Sequence, residues 1–158
     1  MTTSPSVPPK HLRSALSPRA PARAYEDLVA LIGGGAMSGI ALLAGCLSTL
    51  ALLMIHTYLA PMHLEEQPYI GVLFLVASVL LAVVAVCLVI PPLQTLAWWS
   101  GAALCVGMAA GYVASRTVGL PNGYHESWQD GWGTACLVLE AAYLVSMAVW
   151  LRRRTPPQ

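Results

Sequence analysis

The chain reads as an all-α integral membrane protein, a four-helix bundle with both ends on the cytoplasmic side. Three observations predict this. Four long apolar stretches occupy the region from Leu28 to Leu151. The composition is 57% apolar and 9% charged, against about 25% charged in soluble domains. Seven of the eight Lys and Arg residues lie in the tails: Lys10, Arg13, Arg19 and Arg23 before the first stretch, Arg152, Arg153 and Arg154 after the last. Short basic flanks favour the cytoplasmic face, so an even number of spans with both termini inside is expected.

The expected organisation is one membrane domain, residues 25–151, between two tails. Residues 1–24 carry five prolines among Ser, Thr, Ala and basic residues, and such a segment cannot bury a core. It is expected to be a disordered cytoplasmic tail, and the short basic segment 152–158 is expected to be a second cytoplasmic tail. The apolar stretch that follows starts too late and runs too long for a cleaved leader, so the first helix is expected to act as the targeting signal.

The first span is expected over about residues 28–59, longer than the ~20 residues a bilayer needs, with Gly33-Gly34-Gly35 near its start. The second, 69–90, begins after Pro68 and stops at Pro91-Pro92, as Pro at a first turn and beyond a last turn predicts. It carries no charge, and Ser78 is its one marked polar group, so it is expected to face lipid more than the others do. The third, 93–116, opens with Trp98-Trp99 at the inner interface. The fourth covers 132–151, and Trp132 and Trp150 are separated by ~27 Å at 1.5 Å per residue. That separation nearly matches a ~30 Å apolar core, so these two Trp are expected in the two aromatic belts. Gly35 with Gly39, and Gly107 with Gly111, form G-x-x-x-G stripes that predict close contacts by helices one and three.

Glu140 is the sharpest single residue. It falls near the middle of span four, where an unpaired carboxylate costs at least ~2.5 kcal/mol. It is expected to be neutral or hydrogen-bonded inward, with Cys136 and Tyr143 on the same inward face. An intramembrane acid has two readings, a proton- or ligand-binding group and a structural bridge between helices. Arg116 ends span three on the outward side, against the basic bias, and so calls for a partner among Glu65, Glu66, Glu126 and Glu140. An ion pair pinning loop to bundle is the favoured role over anion binding. Tyr112 lies one turn deeper on its face.

The third cluster is His56, His63, Glu65, Glu66, His125 and Glu126, all at the outer edge. His63 and Glu66 follow Pro61 in an expected loop. Imidazole with carboxylate suits a divalent metal such as zinc or copper, and His56, His63 and Glu66 are the candidate ligands. The spacing matches no recognised metal motif, so capping the bundle is the plainer role and no cofactor is expected. Cys46, Cys87, Cys105 and Cys136 lie within spans without a C-x-x-C and read as packing residues. No phosphate-cradling loop, paired intrahelical His or basic-aromatic surface is present, which sets aside nucleotide, haem and nucleic-acid chemistry.

The segments His56-Thr57-Tyr58-Leu59-Ala60-Pro61-Met62-His63-Leu64-Glu65-Glu66 and Ser115-Arg116-Thr117-Val118-Gly119-Leu120-Pro121 resemble a group of uncharacterised four-helix membrane proteins, mostly actinobacterial. The resemblance covers roughly residues 28–150 and implies topology and a bacterial plasma membrane, not a reaction. Gly119 to Gly123 would shape a tight turn after helix three.

Two functions follow as expectations. One is a non-enzymatic membrane protein: a subunit, scaffold or small sensor, alone in the bilayer or with a second copy or membrane partner. The other is an outward-facing binding or transport protein for a divalent metal or small solute, using His56, His63 and Glu66 with Glu140 behind them.

Overall fold

The computed structural model describes residues 20–154, with side chains described from 35 to 153. The expected tails therefore lie outside the described residues up to residue 19 and beyond residue 154. Four helices follow one another: α1 (Ala20–Glu66), α2 (Pro68–Val89), α3 (Gln94–Arg116) and α4 (Gly131–Arg154). Each contains a stretch long and apolar enough to cross a membrane, namely Gly35–Glu66, Pro68–Val89, Pro91–Arg116 and Gly131–Arg153. The chain divides between Met37 and Ser38 into two units, and the packing described below belongs to residues 38–158.

The helix boundaries follow from local chemistry. Pro68 occupies the first turn of α2, where its missing N–H costs nothing. Pro91 and Pro92 follow its end, and Ile90 is extended as a residue before proline should be. Between α2 and α3 the chain makes one 3₁₀ turn, Pro91–Leu93. After α3, Gly119 adopts φ +79° and its N–H donates to the Ala114 carbonyl at 2.9 Å, a left-handed helix stop. The tight turn expected there is a 3₁₀ turn at Pro121–Gly123, closed by the Leu120 N–H donating to the Tyr124 carbonyl at 2.8 Å.

One boundary differs. α1 does not stop at Pro61 but runs through it to Glu66. Proline removes one backbone bond, yet Leu59, Ala60 and His63 on that turn are buried. The Gln67 N–H also donates to the His63 carbonyl at 2.9 Å. Packing of the last turn outweighs the missing bond, so His63 and Glu66 are helical rather than in a loop.

The core differs from expectation in three respects. Trp98 and Trp150 are not lipid-facing belt residues: both are buried, with ring centroids 5.6 Å apart, and the Trp98 ring also meets Tyr143 at 5.1 Å. Trp99 and Trp132 are the exposed members of the two pairs. α2 is no more exposed than α1 or α4, because Ser78, Leu81, Val84 and Leu88 turn inward. The glycine stripes do not make the close contacts: a methyl group added at Gly35, Gly39, Gly107 or Gly111 would meet open space. Other glycines do that work. Gly45 receives the Trp98 ring, Gly101 the Tyr143 hydroxyl, Gly71 the Leu64 backbone and Gly133 the Tyr112 ring. A stripe of small residues predicts that a helix can be approached, not that a neighbour of the same chain does so.

Candidate functional site

The connection between α3 and α4 folds back over the bundle end where α1 meets α2. The Tyr69 hydroxyl donates to the Pro121 carbonyl at 2.8 Å, and the Glu126 N–H donates to the Ser115 carbonyl at 3.1 Å. Glu126 is thereby held beside the last turn of α3. Asp130 precedes α4 and accepts the Trp132 and Gly133 N–H groups, each at 3.0 Å, as an Asp before a helix does.

These two carboxylates converge on Arg116. Its Nη2 lies 2.7 Å from Glu126 Oε2 and 3.0 Å from Asp130 Oδ2. Nη1 donates to Ser115 Oγ at 2.7 Å and to the Tyr112 carbonyl at 3.3 Å, and Cζ sits 3.6 Å from the centre of the Tyr112 ring. The guanidinium is buried and its Nε has no protein partner. Of the expected partners, Glu126 is in contact. Glu65 and Glu66 are exposed on the end of α1, and the second anion is Asp130.

His63 joins the network from α1. Its Nε2 faces Glu126 Oε1 at 3.4 Å and its Nδ1 faces the Leu59 carbonyl at 3.0 Å. Both neighbours are acceptors, and a neutral imidazole donates to only one of them. Phe74, the single phenylalanine, stacks on His63 at 4.4 Å and tilts against His56 at 5.0 Å. His56 Nδ1 faces the Leu52 carbonyl at 2.9 Å. The Tyr124 hydroxyl donates to Glu126 Oε1. Burial first, then that bond and the negative charge of Glu126, push the Tyr124 phenol well above its usual range. Burial raises the Glu126 carboxyl, but the Tyr124 bond, the Arg116 charge and His63 outweigh it and leave the group below its ordinary value.

The candidate metal ligands do not come together. His56 and His63 lie on one face of α1, while Glu66 is exposed and His125 rests against Gly119 outside the network. Among the described residues no three His, Cys, Asp or Glu side chains gather to hold a metal ion.

Behind the Arg116 network lies a cavity of about 390 Å³. Its loop end is lined by His63, Arg116, Tyr124, Glu126 and Asp130, and its walls run along α2, α3 and α4 to Glu140. Gly107 and Gly111 line it, which explains the open space beside them. Leu104, Met108 and Leu137 make the walls apolar, and the exposed Leu80 lies at the open side. Glu140 is 4% exposed, and its Oε2 is buried with no hydrogen-bond partner among the described residues. It lies nine residues beyond Gly131 along α4, or ~14 Å deeper at 1.5 Å per residue. Cys136 lines the same wall one turn nearer the loop, while Tyr143 turns away to donate to the Ala97 carbonyl at 3.0 Å.

Asp130, Tyr124 and Phe74 were not singled out by sequence. Asp130 had a signal, an acid directly before a Gly-rich helix start; the other two had none. No protein-family model, no curated protein and no solved structure matches this chain.

Proposed function

We propose that this small integral membrane protein is a non-enzymatic binding protein for a small, largely apolar solute. One observation supports this reading above all, the cavity of about 390 Å³ running from the Arg116 network to Glu140. Its size lies within the ~300–1,000 Å³ usual for small-molecule pockets. Apolar walls with a few convergent polar groups are the usual make-up of such sites.

The polar groups at the loop end serve as a fixed rim. Arg116 is held by two carboxylates, and Ser115 is engaged by Arg116 and by the Tyr112 carbonyl, so neither is free as a nucleophile or general base. Binding rather than bond-making suits such a rim. The basic tails favour an outward loop end, so that solute would reach the cavity from outside. A sensor or a subunit role would then follow from whether the cavity is filled.

The test is thermal unfolding in mild detergent while 2-phenylethanol is titrated. A ligand that binds only the folded state raises stability by about 2.7 kcal/mol at one hundred times its dissociation constant. The midpoint of the wild type rises with solute relative to Gly107→Leu, which puts a side chain into the cavity. Equal responses of the two proteins contradict the reading.

A further inference from the structure

Resting on that reading, we propose that the occupant is a primary or secondary ammonium on a compact apolar body, anchored by the carboxylate of Glu140. Glu140 Oε2 is buried without a hydrogen-bond partner among the described residues, on the wall of a cavity large enough for a guest. A buried carboxyl left unpaired is costly, and a donor brought by the guest removes that cost. Around it, Leu104, Met108 and Leu137 offer only apolar surface. The complementary molecule is therefore apolar over most of its surface and carries one strong donor group at one end.

Charge selects among donors. The cavity lining contains one permanent cation, Arg116, and three carboxyl groups, Glu126, Asp130 and Glu140. Arg116 against Glu126 and Asp130 leaves a formal charge of −1 before Glu140 is counted, with His56 and His63 taken as neutral. Two carboxylates already lie against Arg116 Nη2, and the negative charge of an anion would meet theirs. A monocation meets a rim of its opposite sign and, at the deep end, a carboxylate whose Oε2 has no hydrogen-bond partner among the described residues. Whether the proton arrives on the nitrogen or passes to it from Glu140, the bound pair is the same: an N–H donor against a carboxylate. A short apolar body fits a cavity of about 390 Å³.

The experiment compares phenethylammonium with its uncharged counterpart 2-phenylethanol, by calorimetric titration of the protein in lipid nanodiscs with empty discs subtracted. The wild type binds phenethylammonium at least ten-fold more tightly. Glu140→Gln removes that preference, leaving the two probes within about two-fold of each other, and Glu140→Asp restores most of it. Each variant is first matched to the wild type by its elution volume and helical content, and Glu140→Asp carries the comparison should Glu140→Gln not fold. Equal binding of both probes by the wild type, or an ammonium preference that survives in Glu140→Gln, overturns the ammonium assignment while leaving solute binding intact. Failure of both probes to bind overturns the solute-binding reading along with it.

Discussion

Asp130 Oδ2 lies 3.0 Å from Arg116 Nη2 and 3.0 Å from the Gly133 nitrogen, so one carboxylate both starts α4 and neutralises the end of α3. The two duties can be separated. Asp130→Asn keeps an oxygen for the cap and loses the charge, whereas Asp130→Ala loses both. Loss of a cap alone costs about 1 kcal/mol. Thermal unfolding in detergent should therefore order the proteins wild type, Asp130→Asn, Asp130→Ala from most to least stable. Equal loss in the two variants would assign the whole effect to charge.

Arg116 is the more sensitive partner, because its removal strands two carboxylates beside buried surface. Breaking a buried pair costs about 3–5 kcal/mol. Glu126 and Asp130 retain side-chain exposures of 26% and 36%, which shifts the expectation to roughly 3 kcal/mol or less. Arg116→Lys should recover little. A single ammonium cannot reproduce the fork that reaches Glu126, Asp130 and Ser115 together. Urea unfolding of the two variants in the same detergent checks this; full recovery by lysine would reduce the site to a point charge.

Acid should loosen the same corner. The folded Glu126 carboxyl titrates below its ordinary 4.5, so its stabilising contribution is complete above that value. It is lost as pH falls through the lower, folded value, when the unfolded chain binds the extra proton first. The unfolding midpoint should begin to fall as pH drops through the ordinary 4.5 and continue to fall down to the lower folded value, and fall less steeply in Glu126→Gln. Identical slopes would contradict the assignment.

Glycine substitutions distinguish the contacts within the bundle from the sequence stripes. Gly101→Ala drives a methyl group into the Tyr143 hydroxyl, and overpacking of this kind costs about 1–3 kcal/mol. Gly39→Ala enters open space and should stay within about 0.5 kcal/mol of the wild type. Thermal midpoints of the two variants, measured side by side, decide it; a larger loss at Gly39 would reverse the assignment.

The helices were legible because apolar stretch length and proline punctuation act locally. α2 starts at Pro68, and α3 and α4 run close to their expected ranges. Features that depend on which face meets which neighbour were not legible. Trp98 and Trp150 read as interface residues by depth, yet their rings turn inward onto Tyr143 and onto each other. Gly107 and Gly111 read as a packing groove and instead line a cavity. Glu140, Arg116, His63 and Glu126 were all singled out by residue type and depth. Their actual pairing needed the fold of the 117–130 connection, which brings Asp130 to Arg116 and leaves Glu66 exposed on the end of α1.

The most direct test of the solute cavity is equilibrium dialysis of radiolabelled 2-phenylethanol against the protein in lipid nanodiscs, with empty discs subtracted. Saturable uptake approaching one molecule per chain is expected for the wild type, and none above the empty discs for Gly107→Leu. Uptake by wild type and Gly107→Leu that is equal, or that rises linearly without saturation in both, would contradict it.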